Sequence, residues 1–410
     1  MTSIRCAGGT RSRPLPFTLL VTVAVASMVA GSTAVHSASR VVVVGEVQGA
    51  ANSAVTLLQK VELVDGESHW SGGDAVLIQT GDLIDGGEHA RAAMDLFMRL
   101  QEEAAAAGGR VIVLMGNHEA MNILGELRDV NYMTYAAFAG PDAEARQKAH
   151  YDAEVAWHTE RAAATGSQFT PDDEFNADWF ALHPPGWVEY VEAMRPEGTY
   201  GRWLRTLPVA VELNGVLFVH AGISPEMKRM TIEEINNRAA EEIRRFDADR
   251  DRMVAEGMCL PLCSARQMVD VINGEITYLN TLDASQRNQG NPRMTRAADL
   301  QHLGQWGSWS VLTDTGPLWF KGTSQWDEKQ HGGEMNDILT VAGVERMVTG
   351  QSDGKDHVIH TRFDNRVILT SVDMSDDPWD GGGTPAALEI VDDDFVVVTM
   401  KGREVLIASN

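Results

Sequence analysis

The chain has 410 residues, with 58 acidic against 34 basic side chains, a formal net charge of −24 and a pI near 4.8. Its length allows two or three domains, but large α/β folds often carry insertions on one core, so one elaborated domain is the expectation. So acidic a surface repels nucleic acid and anionic membranes at long range, which excludes both as general partners.

Arg5, Arg11 and Arg13 precede an apolar run from Leu15 to Ala30 and then small residues, the layout of an export signal. This predicts a signal over 1–37, a mature chain from about Ala38 and a periplasmic or extracellular destination without membrane contact after cleavage. The alternative is an uncleaved anchor, because a run of this length just spans a bilayer. Beyond it only Cys259 and Cys263 remain, four apart in CLPLC, either as a local disulfide or as two free thiols.

Val41 to Val44 form a short apolar run ending in Gly45, and Ser53 to Leu63 has helical periodicity. Ala75 to Gln79 repeats the strand signal, Arg91 to Ala107 reads as an Ala-rich helix, and Val111 to Met115 as a third strand. Strands alternating with helices predict a sheet with helices on its faces, whose ligands sit beyond the carboxyl ends of the strands. From 141 to about 202 the pattern is helical and Trp-rich, broken at Pro184 and Pro185. Val209 to Glu212 and Val216 to Val219 then flank Asn214 and Gly215, a strong hairpin signal. Residues 226 to about 312 read as a second helical insertion, within which Glu241 to Arg252 looks like a solvated helix face. Strands return over Gly343 to Gly350 and Val367 to Val372. The main domain is thus expected over 38–375, a Gly-rich linker over 376–387 and a terminal hairpin over 388–410.

Five short segments follow apolar strands: GEVQG at 45–49, GDLIDGG at 81–87, GNHE at 116–119, VHAG at 219–222 and TGQSDG at 349–354. Asp82 can bridge two cations through its two oxygens, Asn117 offers an amide oxygen, and His118 can protonate a leaving alkoxide with Asp85 orienting its ring. Each alone reads equally as an ordinary turn; two such loops about thirty residues apart do not. His220, before the small Ala221 and Gly222, joins them as a candidate ligand. The tryptophans at 306, 309 and 319 read as core packing or as a cleft lining.

With these segments, the chain resembles the calcineurin-like metallophosphoesterases, and NHEAMNILGELRDV at 117–130, GRWLR at 201–205, HAGIS at 220–224 and GPLWFKG at 316–322 are similar to the Shewanella-like phosphatase branch. The resemblance covers most of residues 40 to 375. It implies an α/β fold, an αββα sandwich with helical insertions, carrying a binuclear site that hydrolyses phosphomonoesters through a metal-activated water. Carried over by position, Asp82 is the bridging ligand, Asn117 and His220 belong to the second metal, and His118 with Asp85 forms the acid pair.

The departures fall on the same site. Where the family has GDxHG, Glu46 and Gln48 replace the first metal's aspartate and histidine; Gly86 replaces the arginine of GDxxDRG; and Gln351 replaces the histidine of a GH pair. The first metal then relies on Glu46, Gln48 and Asp82, and the second on Asp82, Asn117, Gln351 and His220. So oxygen-rich a set suits manganese or magnesium better than zinc or iron, with two ions if both positions hold and one if the site is degenerate. Loss of one charge-stabilising donor at Gly86 weakens transition-state binding by about 2–4 kcal/mol. Arg202, Arg205 and Arg128 are candidate replacement cations, and Asp353 a candidate extra carboxylate. Two functions stay open: a metal-dependent phosphoesterase, on monoesters or, without the arginine, on diesters; or an impaired pseudophosphatase that binds a phosphorylated small molecule, a phosphoprotein or another protein.

Overall fold

The computed structural model describes residues 38–283, 285–286, 293–294, 301–351, 357–372, 374 and 384–409. The expected signal at 1–37, Asp353 and the glycine run at 381–383 lie outside the described residues.

The first three strands and helices fall where the hydrophobic pattern puts them. β1 (Arg40–Val44), α1 (Ala51–Lys60), β2 (Val76–Gln79), α2 (Ala90–Ala107) and β3 (Arg110–Val113) follow one another, with the strands parallel. α2 stops at Gly108, which takes the left-handed φ of 87° that a side chain resists. α3 (Asn117–Ile123) then leaves the end of β3. Five helices follow before the second sheet: α4 (Tyr132–Phe138), α5 (Ala143–Ala164), α6 (Asp173–Leu182), α7 (Trp187–Ala193) and α8 (Thr199–Leu204).

β4 (Ala210–Leu213) and β5 (Val216–Val219) form the hairpin, and both Asn214 and Gly215 adopt positive φ, the turn geometry that matches strand twist. α9 (Ile232–Ala255), α10 (Ala265–Thr281) and a 3-10 helix over Gln301–Ser308 separate β5 from α11 (Gly322–Gln325), α12 (Glu328–Ala342) and β6 (Arg346–Thr349). β7 (His360–Arg362) and β8 (Val367–Leu369) complete a five-stranded sheet of order β4-β5-β6-β8-β7.

The other sheet has six strands, because the chain end is a three-stranded meander and not a separate hairpin. β9 (Ala386–Val391) pairs antiparallel with β1, and β10 (Asp394–Thr399) and β11 (Gly402–Ile407) extend the order to β11-β10-β9-β1-β2-β3. Ala386 and Ala387, read as linker, are therefore strand residues; being small and buried, they fit beside Val44 at the centre of the sheet. The acidic stretch needs a second correction. Glu242, Phe246, Asp249 and Arg250 on α9 are buried, and the Glu242 carboxylate accepts hydrogen bonds from the Ser310 N–H and Oγ and the Val311 N–H, so only part of that helix face is solvated.

Alternation along the strands makes the αββα layering. Val41, Val43, Val76 and Ile78 pack with Leu213, Val216, Phe218, Val348 and Ile368 between the sheets, while Val42, Val44 and Leu77 face the helices. In register, Val44 lies beside Gln79, Gln79 beside Val113, and Val219 beside Thr349. All five motif loops thus leave the carboxyl ends of parallel strands at one edge of the sandwich.

One carboxylate fastens two of those loops together. Glu119, fully buried, accepts hydrogen bonds from the backbone N–H groups of Asp82 (2.9 Å), Leu83 (2.9 Å), Ile84 (3.3 Å) and Gly116 (2.7 Å). Gly116 must lack a side chain there, since a Cβ would meet Asp82 Oδ1 at 2.2 Å. Replacing Glu119 by glutamine keeps the volume but sets an amide NH2 against backbone donors. Urea unfolding of Glu119→Gln should show a loss of ~2–4 kcal/mol, the cost of buried donors left unpaired; a loss below ~0.5 kcal/mol would remove the clamp from the account.

Candidate metal centre

The loops that carry the motif residues are locally strained and interlocked. Gln48, Asp82 and Asp85 all have positive φ (47°, 54° and 71°), a conformation that costs a non-glycine residue about 1 kcal/mol or more and persists where surroundings enforce it. Enforcement comes from the neighbouring loop: the Val47 and Gln48 N–H groups both donate to the Asp82 carbonyl, and Gly49 N–H donates to the Leu83 carbonyl. Buried Gln79, at the end of β2, adds side-chain hydrogen bonds to the Gly45 and Gly81 carbonyls.

Three side chains converge in this frame. Glu46, Asp82 and His220, all buried, each offer a ligand atom within 4.8 Å of the other two. No other group of three histidine, cysteine or carboxylate side chains among the described residues is so disposed. His220 Nε2 lies 2.8 Å from Asn117 Oδ1 and 3.3 Å from Asp82 Oδ2. Adjacent donors around one cation of bond length ~2.1 Å sit ~3 Å apart, so this spacing fits a shared ion. The other ring nitrogen, Nδ1, is 2.8 Å from the Thr80 carbonyl, which fixes the ring. Without a cation both nitrogens face acceptors, and the ring holds both protons: burial opposes its charge, but Asp82 and Glu46 lift its pKa to about 9. Burial and the Asp82 carboxylate likewise push Glu46 up to about 8. Burial also acts to raise Asp82, yet His220 and His118 outweigh it and hold it below the usual range.

His118 and Asp85, the expected acid pair, lie within hydrogen-bond distance of each other. His118 Nδ1 is 2.9 Å from Asp85 Oδ2, and its Nε2 is 3.8 Å from Asp82 Oδ2. Burial works against a charged His118, but Asp82 and Asp85 prevail and raise it to about 10, so it carries its proton at neutral pH. Burial raises Asp85.

The substituted positions behave differently. The Gln48 amide N–H faces Glu46 Oε2 at 3.4 Å, and the same oxygen accepts the Ser371 hydroxyl at 3.0 Å. Gln351 Nε2 is 3.3 Å from Asn117 Oδ1, while its own Oε1 is buried without a partner among the described residues. Gly86 has φ 66°, its N–H donates to the Asp129 carbonyl and its carbonyl accepts from Asn131 Nδ2, so the loop is built around a glycine. The candidate replacement arginines are engaged elsewhere. Arg205 makes a two-pronged bond to Asp247, Arg202 bonds the Glu197 carbonyl, and Arg128 pairs with Glu126 and Asp129. Trp306 and Trp309 are buried packing residues, and Trp319 donates to the Val311 carbonyl. Cys259 and Cys263 are free and buried. A cavity of about 330 Å³ lined by Glu154, Trp157, Trp187 and Leu262 contains none of the converging ligands.

Sequence reasoning missed Glu119, Ser371 and Gln79. Only Glu119 left a signal, since a glutamate at the third helical position of α3 is where a carboxylate reaches back to the helix start.

A family description, calcineurin-like phosphoesterase, matches residues 39–267, more than half of the chain. Shewanella-like protein phosphatase 2 of Arabidopsis thaliana is 26% identical over 222 residues, covering 52% of this chain and 53% of that protein. Shewanella-like protein phosphatase 1 of Plasmodium berghei (strain Anka) is 24% identical over 197 residues, 48% of this chain and 42% of that protein. The chain thus spans about half the length of these curated relatives. Among solved structures, the cold-active protein-tyrosine phosphatase of a psychrophile Shewanella sp. superposes with a TM-score of 0.55 at 21% identity, over 90% of this chain and 81% of that one, a likeness of fold. The chain belongs to the calcineurin-like phosphoesterases, with distant Shewanella-like phosphatase kinship and an incomplete cluster of metal ligands.

Proposed function

We propose that the protein is a phosphatase-derived binder: it holds one divalent cation, manganese or magnesium, and a phosphorylated ligand, with phosphomonoester hydrolysis strongly impaired. The observation that carries this reading is the closeness of Glu46, Asp82 and His220. Glu46 belongs by position to one metal and His220 to the other, yet with its extra methylene Glu46 reaches the same point. Asp82, Asn117 and His220 would hold the ion, with Glu46 beside them. A cation there supplies positive charge for phosphate oxygens.

The chain's own residues support binding better than turnover. Protonated His118, held by Asp85, can donate to a phosphate oxygen. Gln48 turns an N–H towards Glu46 where an imidazole lone pair would be needed, and no guanidinium projects from Gly86. The relatives are protein phosphatases by name, which favours a phosphoprotein over a small phosphate ester as the ligand, and the expected export signal would put this binding outside the cell interior.

Titration calorimetry with Mn²⁺ should give one site per chain, lost in Asp82→Asn. Because binding must expel protons from His220 and Glu46, whose pKa values lie at about 9 and about 8, affinity should rise as pH increases from about 6 to about 9 and then level. A flat profile would mean that these two groups do not face the ion.

With a generic aryl phosphate and Mn²⁺, the parent should show at most trace hydrolysis, and Gln48→His, Gln351→His should raise kcat/KM at least about tenfold, the scale on which groups around a metal act. Robust parental activity that vanishes in Asp82→Asn would replace this reading with that of a working phosphoesterase.

A further inference from the structure

His118 and Asp85 are the last links of a longer buried relay that begins in the helical insertion. Tyr190, on α7 and fully buried, donates its hydroxyl to Asn122 Oδ1 at 2.5 Å. Asn122, on the α3 turn after His118, places its Nδ2 2.8 Å from Asp85 Oδ2 and 2.9 Å from the His118 carbonyl. A carboxylate and a carbonyl only accept, so the Asn122 amide has one permissible orientation, with its NH2 towards Asp85 and its oxygen towards Tyr190. Tyr190 must then donate. Asp85 Oδ2, already accepting from Asn122, accepts again from His118 Nδ1–H, which orients the ring with Nδ1 on Asp85 and Nε2 on the ligand side, 3.8 Å from Asp82.

We propose that Asn122 and Tyr190 are positioning residues for the acid pair, so that α7 of the insertion sets which nitrogen of His118 faces the phosphate. The proposal rests on the roles given above to His118 and Asp85. Packing supports the direction of control. Tyr190 meets the rings of Tyr135 and Phe138 edge to face, at 5.4 and 5.0 Å between centroids, so its hydroxyl is aimed by aromatic contacts on α4 and α7 and has little freedom. A purely structural role would need only that buried polar atoms be satisfied. A positioning role requires that the effect travel two hydrogen bonds to the His118 N–H.

The test reads that proton directly, in the full chain labelled with ¹⁵N-histidine and without added metal, so it does not depend on whether the cation reading holds. The parent should show a downfield, slowly exchanging Nδ1–H resonance, assigned by its absence in His118→Gln. Tyr190→Phe and Asn122→Ser should move it upfield and speed its solvent exchange at least about tenfold, the scale of one buried hydrogen-bond partner lost. Tyr135→Phe, which alters a ring outside the hydrogen-bonded relay, should leave it in place. An unchanged resonance in folded Tyr190→Phe and Asn122→Ser, or an equal change in Tyr135→Phe, overturns the proposal. Failure of Mn²⁺ to bind in calorimetry, with the relay signature intact, would overturn the cation reading alone.

Discussion

The candidate site depends on the grip of the Glu119 carboxylate on four backbone N–H groups. Asp82, Leu83 and Ile84 present three successive donors from the loop after β2, and Gly116 a fourth from the loop after β3. Burial and the nearby Asp82 carboxylate push Glu119 up to about 7, against the backbone donors that favour its charge. The loop geometry that follows is the strained one, with Asp82 and Asp85 both at positive φ. These conformations aim the Asp82 carboxylate at His220 and the Asp85 carboxylate at His118. Side-chain identity at the metal positions departs from the family motifs, while the backbone that presents those positions is held by the Glu119 hydrogen bonds.

The fold and the candidate metal ligands are carried by different parts of the chain. Ligand residues sit on loops past the strand ends, where substitution leaves the inter-sheet layer of valine, isoleucine and phenylalanine untouched. The replacements are also satisfied locally. Gln48 and Ser371 both hydrogen-bond Glu46, so the first metal position has polar partners drawn from the protein itself. Gly86 is settled in a left-handed turn closed by Asp129 and Asn131, where an arginine side chain would carry backbone strain of about 1 kcal/mol.

Much of the architecture was legible in the sequence because its signals are local. Apolar runs marked β1, β2 and β3, and the Asn214–Gly215 pair fixed the β4–β5 hairpin through its demand for positive φ. Pairing over long distance was not legible: nothing in residues 386 to 391 announces that they lie against β1, some 350 positions earlier, so the expected terminal hairpin is instead a three-stranded extension of the first sheet. On α9 the interleaved charges hid a buried side, because Glu242 is matched by Ser310 and Val311 from a segment about 70 residues on. In the site, the motif residues could be named one by one, whereas their supports could not. Ser371 and Tyr190 belong to no short pattern, and Asn122, though inside the 117–130 segment, has no role assigned by it; all three acquire their roles only when the strands and the insertion close around the loops.

The central claim is that Asp82, Asn117 and His220, with Glu46 beside them, close on one cation and not two. Anomalous scattering from crystals soaked in Mn²⁺ tests it most directly. A single strong peak is expected within coordination distance of Asp82 and His220. Two peaks about 3.5–4 Å apart, bridged by Asp82 in the manner of a working two-metal site, would contradict it.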